Sequence, residues 1–104
     1  LGTDRVLELL QVSLWYLEDL DEWTEASIRS VFERLSGEFG IRAKELNAPF
    51  YAAVTGARVG PPLYSGMEVL GPDLARRRIH SAMEALGGMS GKKLKALEKS
   101  RGRG

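Results

Sequence analysis

An all-α domain, a compact bundle of five or six short helices with a disordered basic tail, is the fold class the 104-residue sequence predicts. Three observations predict it. Apolar residues recur at spacings of three and four in every strongly periodic segment, the signature of a helix with one buried face. Glycine and proline cut those segments into short pieces. No segment shows the strict alternation of a half-buried strand, and no internal repeat is present.

The first helix is expected from an N-cap at Thr3 to about Leu20, with Val6, Leu10, Leu14 and Leu17 as its apolar stripe. Thr24 is a second N-cap, with Ser27 three residues on. The helix it opens carries Ile28, Val31, Phe32, Leu35 and Phe39 on one face, and Gly40 suits its left-handed C-cap. Trp23 and Ile28 occupy the positions of a hydrophobic staple. A short helix is expected over Ile41 to Leu46, interrupted at Asn47-Ala48-Pro49, because proline disfavours helix in the residue before it. Pro49 then suits the first turn of a new helix, Phe50 to Thr55, ended by Gly56. Ala57-Arg58-Val59-Gly60-Pro61-Pro62 reads as a stiff turn. Leu63 to Leu70 is a short helix closed by Gly71. A last clear helix opens near Asp73, buries Ala75, Ile79, Met83 and Leu86, and stops at Gly87-Gly88. Residues 1–88 are read as the domain and 89–104 as a basic flexible tail, in which Lys92 to Lys99 form at most a transient helix.

The net charge of +1 conceals a division. Residues 1–46 hold ten acids and five bases, a net of −5, whereas residues 47–104 hold ten bases and four acids, a net of +6. A basic half of this kind fits either a polyanionic partner or a solvated tail. Six bases (Lys92, Lys93, Lys95, Lys99, Arg101, Arg103) and one acid, Glu98, fall in residues 92–103, so the tail is expected to add sequence-independent affinity for a polyanionic partner if there is one.

Catalytic machinery is hard to build from this chain. It has no cysteine, so it lacks a disulfide framework, a thiolate nucleophile and a cysteine zinc site. Its one histidine, His80, lies mid-helix without a second metal-binding partner in the sequence and reads as structural. The acid pairs Glu18/Asp19 and Asp21/Glu22 fall in an interhelix turn and read as capping and solubilising groups. No phosphate-binding glycine loop occurs. No apolar run approaches the roughly 18 residues that span a bilayer, and no basic region followed by an apolar stretch leads to the expectation of a signal peptide. A chain that opens on Leu1 instead of methionine is expected to be a piece of a longer polypeptide.

Residues 49–79 are the most informative part. Pro49-Phe50-Tyr51-Ala52-Ala53-Val54-Thr55-Gly56 is followed by Gly60-Pro61-Pro62-Leu63-Tyr64, by Met67-Glu68-Val69-Leu70-Gly71 and by Arg78-Ile79. This closely resembles the C-terminal end of bacterial glutamyl-tRNA synthetases. The Trp23 helix and the Phe39-Gly40-Ile41 turn fit the same family, and the resemblance covers about residues 15–86, leaving 89–104 outside it.

The resemblance implies the anticodon-binding subdomain of such an enzyme, an α-helix cage that reads tRNA and does no chemistry. The parent chain would be a class I glutamate–tRNA ligase. No cofactor is expected in this part, since ATP and magnesium would belong to a catalytic domain that is absent here. The implied partner is tRNA, tRNA-Glu by family, with no membrane partner, a monomeric state and a cytoplasmic location. Carried over residue by residue, the family's base readers fall on Tyr51, Gly60, Pro61 and Leu63. Arg58, Arg76 and Arg77 are further candidates for the tRNA backbone.

Two of these positions depart from the family pattern. Many members have arginine where Tyr51 stands, and Gly60 replaces a residue with a usable side chain in some relatives. Tyr51 can stack and make one hydroxyl hydrogen bond but brings no charge, or it can belong to the core with Phe50 and Val54. Leu63 is expected to be exposed beside the proline turn. Arg76, Arg77 and Arg78 are consecutive and point about 100° apart, so they cannot share one phosphate row. Three other readings were weighed. One is a class I lysyl-tRNA synthetase, whose C-terminal helical domain is similar. The others are a small helical protein–protein adaptor, which should expose an apolar groove, and a helix-turn-helix DNA reader, for which Ser65-Gly66-Met67 is a poor recognition surface.

Overall fold

Helix α1, Thr3–Glu18, buries Leu7, Leu9, Leu10, Val12, Ser13, Leu14, Tyr16 and Leu17 in a computed structural model that describes residues 2–56 and 62–103. That set is wider than the single stripe read from the sequence. The reason is position: α2 and α5 both pack on α1, so more than one of its faces is covered. The N-cap is Gly2, not Thr3, with the Val6 amide donating to the Gly2 carbonyl at 3.0 Å. The buried Ser13 hydroxyl donates to the Leu10 carbonyl, the back-bond that lets a hydroxyl enter a helix interior.

Helix α2, Glu25–Phe39, follows the sequence closely. The Thr24 side chain accepts from the Ser27 amide. Ile28, Val31, Phe32, Leu35 and Phe39 are all buried. Gly40 takes φ 64°, and the Ile41 amide returns to the Ser36 carbonyl, as in a Schellman closure. The last clear helix ends the same way, with the Gly88 amide on the Met83 carbonyl and the Gly87 amide on that of Glu84.

The region expected as two short helices is one, α3, Ala43–Thr55, with Pro49 inside it. Proline in a helix interior costs roughly 3 kcal/mol and removes a hydrogen bond. Leu46, Phe50 and Val54 recur every four residues and all three are buried, and that stripe exists only if the helix is continuous. Burying each large apolar side chain is worth about 1.5–3 kcal/mol, which outweighs the local penalty. Helix α4, Leu63–Leu70, and helix α5, Pro72–Ala85, meet at Gly71, whose φ of 86° ends one and starts the other. Ala75, Ile79 and Met83 are buried as expected, whereas Leu86 is 42% exposed.

Residues 91–100 correct the expectation of a disordered tail. They form helix α6, Gly91–Ser100, with the Ser90 side chain accepting from the Lys93 amide at its N-cap. The apolar content is as low as the sequence suggested, and of this stretch only Leu97, with Met89 just before it, is packed against the core. What was not legible is the partner of its cations, which lies on α1 and α2.

The core centres on Phe32. Its ring meets Phe50 of α3 edge-on at 4.7 Å and Tyr64 of α4 at 5.1 Å, so one side chain of α2 joins three helices. Phe32→Ala is expected to lower stability by about 3–5 kcal/mol through the cavity it leaves, read as a shift in Tm of more than ten degrees.

Candidate tRNA interface

The structure places the candidate residues on different faces. Tyr51 lies on α3 one turn beyond Asn47, whose amide donates to the Tyr64 hydroxyl of α4 at 3.0 Å. Residues four apart share a helix face, so Tyr51 is on the side of α3 that looks toward α4. It is partly buried and packed against the core. The Thr55 hydroxyl donates to the Tyr51 carbonyl at 2.7 Å, which ties the last turn of α3 together before Gly56 turns out of the helix at φ 72°. Arg58, Gly60 and Pro61 lie outside the described residues.

Leu63 is the clear correction. It opens α4 and is only 4% exposed, a member of the core with Met67. An eight-residue helix has little propensity to form alone, so it is held by burying one face. Leu63 and Met67 are four apart on that face. The rest of the clamp comes from the start of α2 and the residue before its N-cap: the Trp23 indole N–H donates to the Met67 carbonyl at 2.9 Å, and Glu68 accepts from the Glu25 amide at 2.7 Å, a carboxylate at a helix N-terminus. The Leu63 side chain is therefore a structural anchor of the turn and offers no surface to a base.

The three arginines separate, as consecutive helical positions must. Arg76 pairs with Asp73 at 3.2 Å. Arg78 donates to the Val54 carbonyl at 2.5 Å and so clasps the end of α3 to α5. Arg77 is exposed and has no hydrogen-bond or ion-pair partner among the described residues. Arg76 and Arg77 line a groove between α1 and α5 with Glu18, Asp73, His80 and Glu84, away from the α3–α4 side that carries Tyr51. His80 is exposed and pairs with Glu84 at 2.9 Å, in keeping with its reading as a surface residue.

Sequence reasoning missed the way the tail is fastened. Arg101 donates to Glu38 at 2.8 Å and to the Tyr16 hydroxyl at 2.9 Å, and its guanidinium lies over the Phe39 ring. Tyr16 in turn donates to both oxygens of Glu38, and Arg34 completes the group. Arg103 pairs with Asp19 and lies over Trp15, and Lys93 pairs with Asp4 at 3.0 Å. Burial by itself would push the Glu38 carboxyl up. Hydrogen bonds from Tyr16 and Arg101, with the charges of Arg101 and Arg34, outweigh it, and the carboxyl is held below its ordinary 4.5. Burial, and then the bond to Glu38, push the Tyr16 phenol up from 10.0. The spacing Leu94, Leu97, Arg101 was a usable signal, since it is one helical face ending in a cation.

Among the described residues no helix is long and apolar enough to cross a membrane, and no group of histidine, cysteine or carboxylate side chains could hold a metal ion. No buried side-chain polar atom among them lacks a partner.

The described residues form six helices that carry basic side chains on separated faces. A family model described as "Anticodon binding domain" matches residues 1–83, and the chain belongs to that family. It is 38% identical over 100 residues to a glutamate–tRNA ligase of Psychrobacter sp. (strain PRwf-1), covering 96% of this chain and 20% of the relative. It is 35% identical over 99 residues to the glutamate–tRNA ligase of Cellvibrio japonicus, with 95% and 20% covered. With that of Protochlamydia amoebophila it shares 32% over 101 residues, with 96% and 20% covered. The chain thus spans about a fifth of the length of the curated relatives it matches. The matched stretches reach into residues 89–104, so the likeness extends past the limit near residue 86 drawn from the motifs.

Two outcomes follow from this geometry. Leu63→Ala, expected from the sequence alone to leave Tm nearly unaltered, is now expected to cost about 2–5 kcal/mol, checked by thermal unfolding. Glu38 has a lowered folded-state pKa, so its contribution is present above 4.5 and is lost as pH falls through the lower folded value. The difference in Tm between the unaltered chain and Glu38→Gln is therefore expected to be largest at neutral pH and to close in acid.

Proposed function

We propose that this chain is the anticodon-reading part of a glutamate–tRNA ligase, working in the cytoplasm on tRNA-Glu as a monomer. The family match over residues 1–83 carries the reading. Its relatives at 32–38% identity bear the glutamate–tRNA ligase name, which favours this over a lysyl enzyme or an adaptor. Ligation itself, with its ATP and magnesium, belongs to other parts of the longer protein. This part contributes binding alone and needs no cofactor.

In this reading the working edge is the α3–α4 side, where Tyr51 presents part of a ring whose other part rests on the core. A fixed, partly buried aromatic is a stacking platform that loses little entropy when a base arrives. Stacking tolerates any base, whereas a bidentate arginine at the same place would reject wrong edges. Discrimination at the base over Tyr51 is therefore loose. Arg58, Gly60 and Pro61 join Tyr51 as proposed contacts on the strength of the motif. Arg77, the member of its trio without a partner among the described residues, is a contact to backbone phosphate, and Arg76 assists only by leaving Asp73.

The test is equilibrium binding of tRNA-Glu transcripts that differ at single anticodon bases. Tyr51→Ala is expected to weaken binding by about 1–3 kcal/mol, the worth of one stacked base. Tyr51→Arg is expected to widen the affinity ratio between the correct and altered anticodons. A fall in Tm with an unchanged ratio would make Tyr51 a core residue only. Pyrophosphate release from ATP by the chain would overturn the division of labour.

A further inference from the structure

The cations of the tail are divided by the helix into two sets. Lys93 and Arg101 face the body of the domain and are consumed there by Asp4 and Glu38, and Arg103 just beyond the helix is consumed by Asp19. Lys92, Lys95 and Lys99 are exposed and have no ion pair or hydrogen bond among the described residues. They are also three and seven residues apart, which at 100° per residue places them within about 60° of one another on a single face. That face is opposite the one set by Leu94, Leu97 and Arg101. Glu98, the one carboxylate of α6, is partly buried at the edge of the row. The row extends about 10 Å along the helix axis, roughly three phosphates of a stacked strand at about 3.4 Å each.

We propose that the outer face of α6 is a second RNA contact surface, separate from the α3–α4 edge, on which Lys92, Lys95 and Lys99 take backbone phosphates without regard to base. The inference rests on the reading of the chain as a tRNA binder. Charge complementarity selects the partner: a row of ammonium groups without a partner among the described residues, on a helix whose other face is occupied, presents charge outward, and a polyanionic strand is the ligand that meets all three at once. The inner cations do not join it. Docking of α6 on the acidic half spends three of the tail's six bases and at the same time orients the other three. Neutralised phosphates release counterions, so each lysine in contact adds about 0.7–0.9 to the slope of log affinity against log salt. The tail then contributes about three charges to that slope and not six.

The experiment is a salt titration of binding, followed by fluorescence anisotropy, with a tRNA-Glu transcript and an unrelated hairpin RNA of equal length. The unaltered chain is compared with the triple variants Lys92→Gln/Lys95→Gln/Lys99→Gln and Lys92→Arg/Lys95→Arg/Lys99→Arg, and with Arg101→Gln. The glutamine triple is expected to flatten the slope by about 2–3 units, to weaken both RNAs in equal proportion and to leave Tm unchanged. The arginine triple should keep the slope, because charge and not lysine geometry is required. Arg101→Gln should lower Tm without flattening the slope. The proposal is overturned by an unchanged slope in the glutamine triple while the unaltered chain binds RNA normally. It is equally overturned by a loss confined to one of the two RNAs. Failure of the unaltered chain to bind either RNA would instead remove the tRNA-binding reading, and this surface with it.

Discussion

The aromatic junction at Phe32 is the constraint on which the rest of the domain depends. Helices of eight to sixteen residues do not persist alone in water, so each must find a buried partner face. Phe32 supplies one to α3 through Phe50 and one to α4 through Tyr64. The edge-on arrangement adds about 0.5–1.5 kcal/mol to what area burial alone gives. It also fixes how far apart α3 and α4 stand. Asn47 and Tyr64 then join the two helices with a hydrogen bond, so the aromatic ring that fills the core also aligns the edge proposed for tRNA.

Much of this fold was legible in the residue pattern, and the places where it was not have a common cause. Thr24, Gly40, Gly71 and the stripe of α2 act within a turn or two, and local rules described them correctly. Pro49 misled, because the rule for proline is local whereas the benefit of a continuous Leu46, Phe50, Val54 stripe is tertiary. The width of the buried surface of α1 misled in the same way. A stripe at three-four spacing identifies a helix with one covered face. It does not reveal that a second helix covers another. Helix α6 is the extreme case. Its composition argues against order, and its order comes from ion pairs and cation–π contacts with residues 63 to 85 positions away.

The candidate site was legible to a smaller degree. The residue pattern placed Tyr51 on a helix, which the structure extends back to Ala43, and the 100° argument anticipated the scattering of Arg76, Arg77 and Arg78. The motif could not say which atoms of Leu63 matter, since a residue beside a turn can face out or in. A four-residue spacing to Met67 is the physical hint that it faces in. Arg78 was part of the motif, but its bond to the Val54 carbonyl carried no signal, because a side chain that satisfies a carbonyl at another helix's end has no sequence periodicity. The division of the charge into −5 and +6 halves was visible in the composition. That part of the positive half would be turned back on the negative half, leaving a defined remainder for a partner, needed the fold.

The contacts that fasten α6 have a consequence in time. Arg101 with Glu38, Arg103 with Asp19 and Lys93 with Asp4 close long loops, and loop closure is an entropic penalty that must be met before such contacts form. Exposed ion pairs return little, about 0–1 kcal/mol each. The helix is thus expected to settle late during folding and to exchange its amide protons with solvent early. The interior built on Leu46, Phe50, Val54 and Phe32 is expected to keep its amides longer. One chain therefore holds two tiers of persistence: a slow aromatic interior and a fast outer helix that rejoins it through charge.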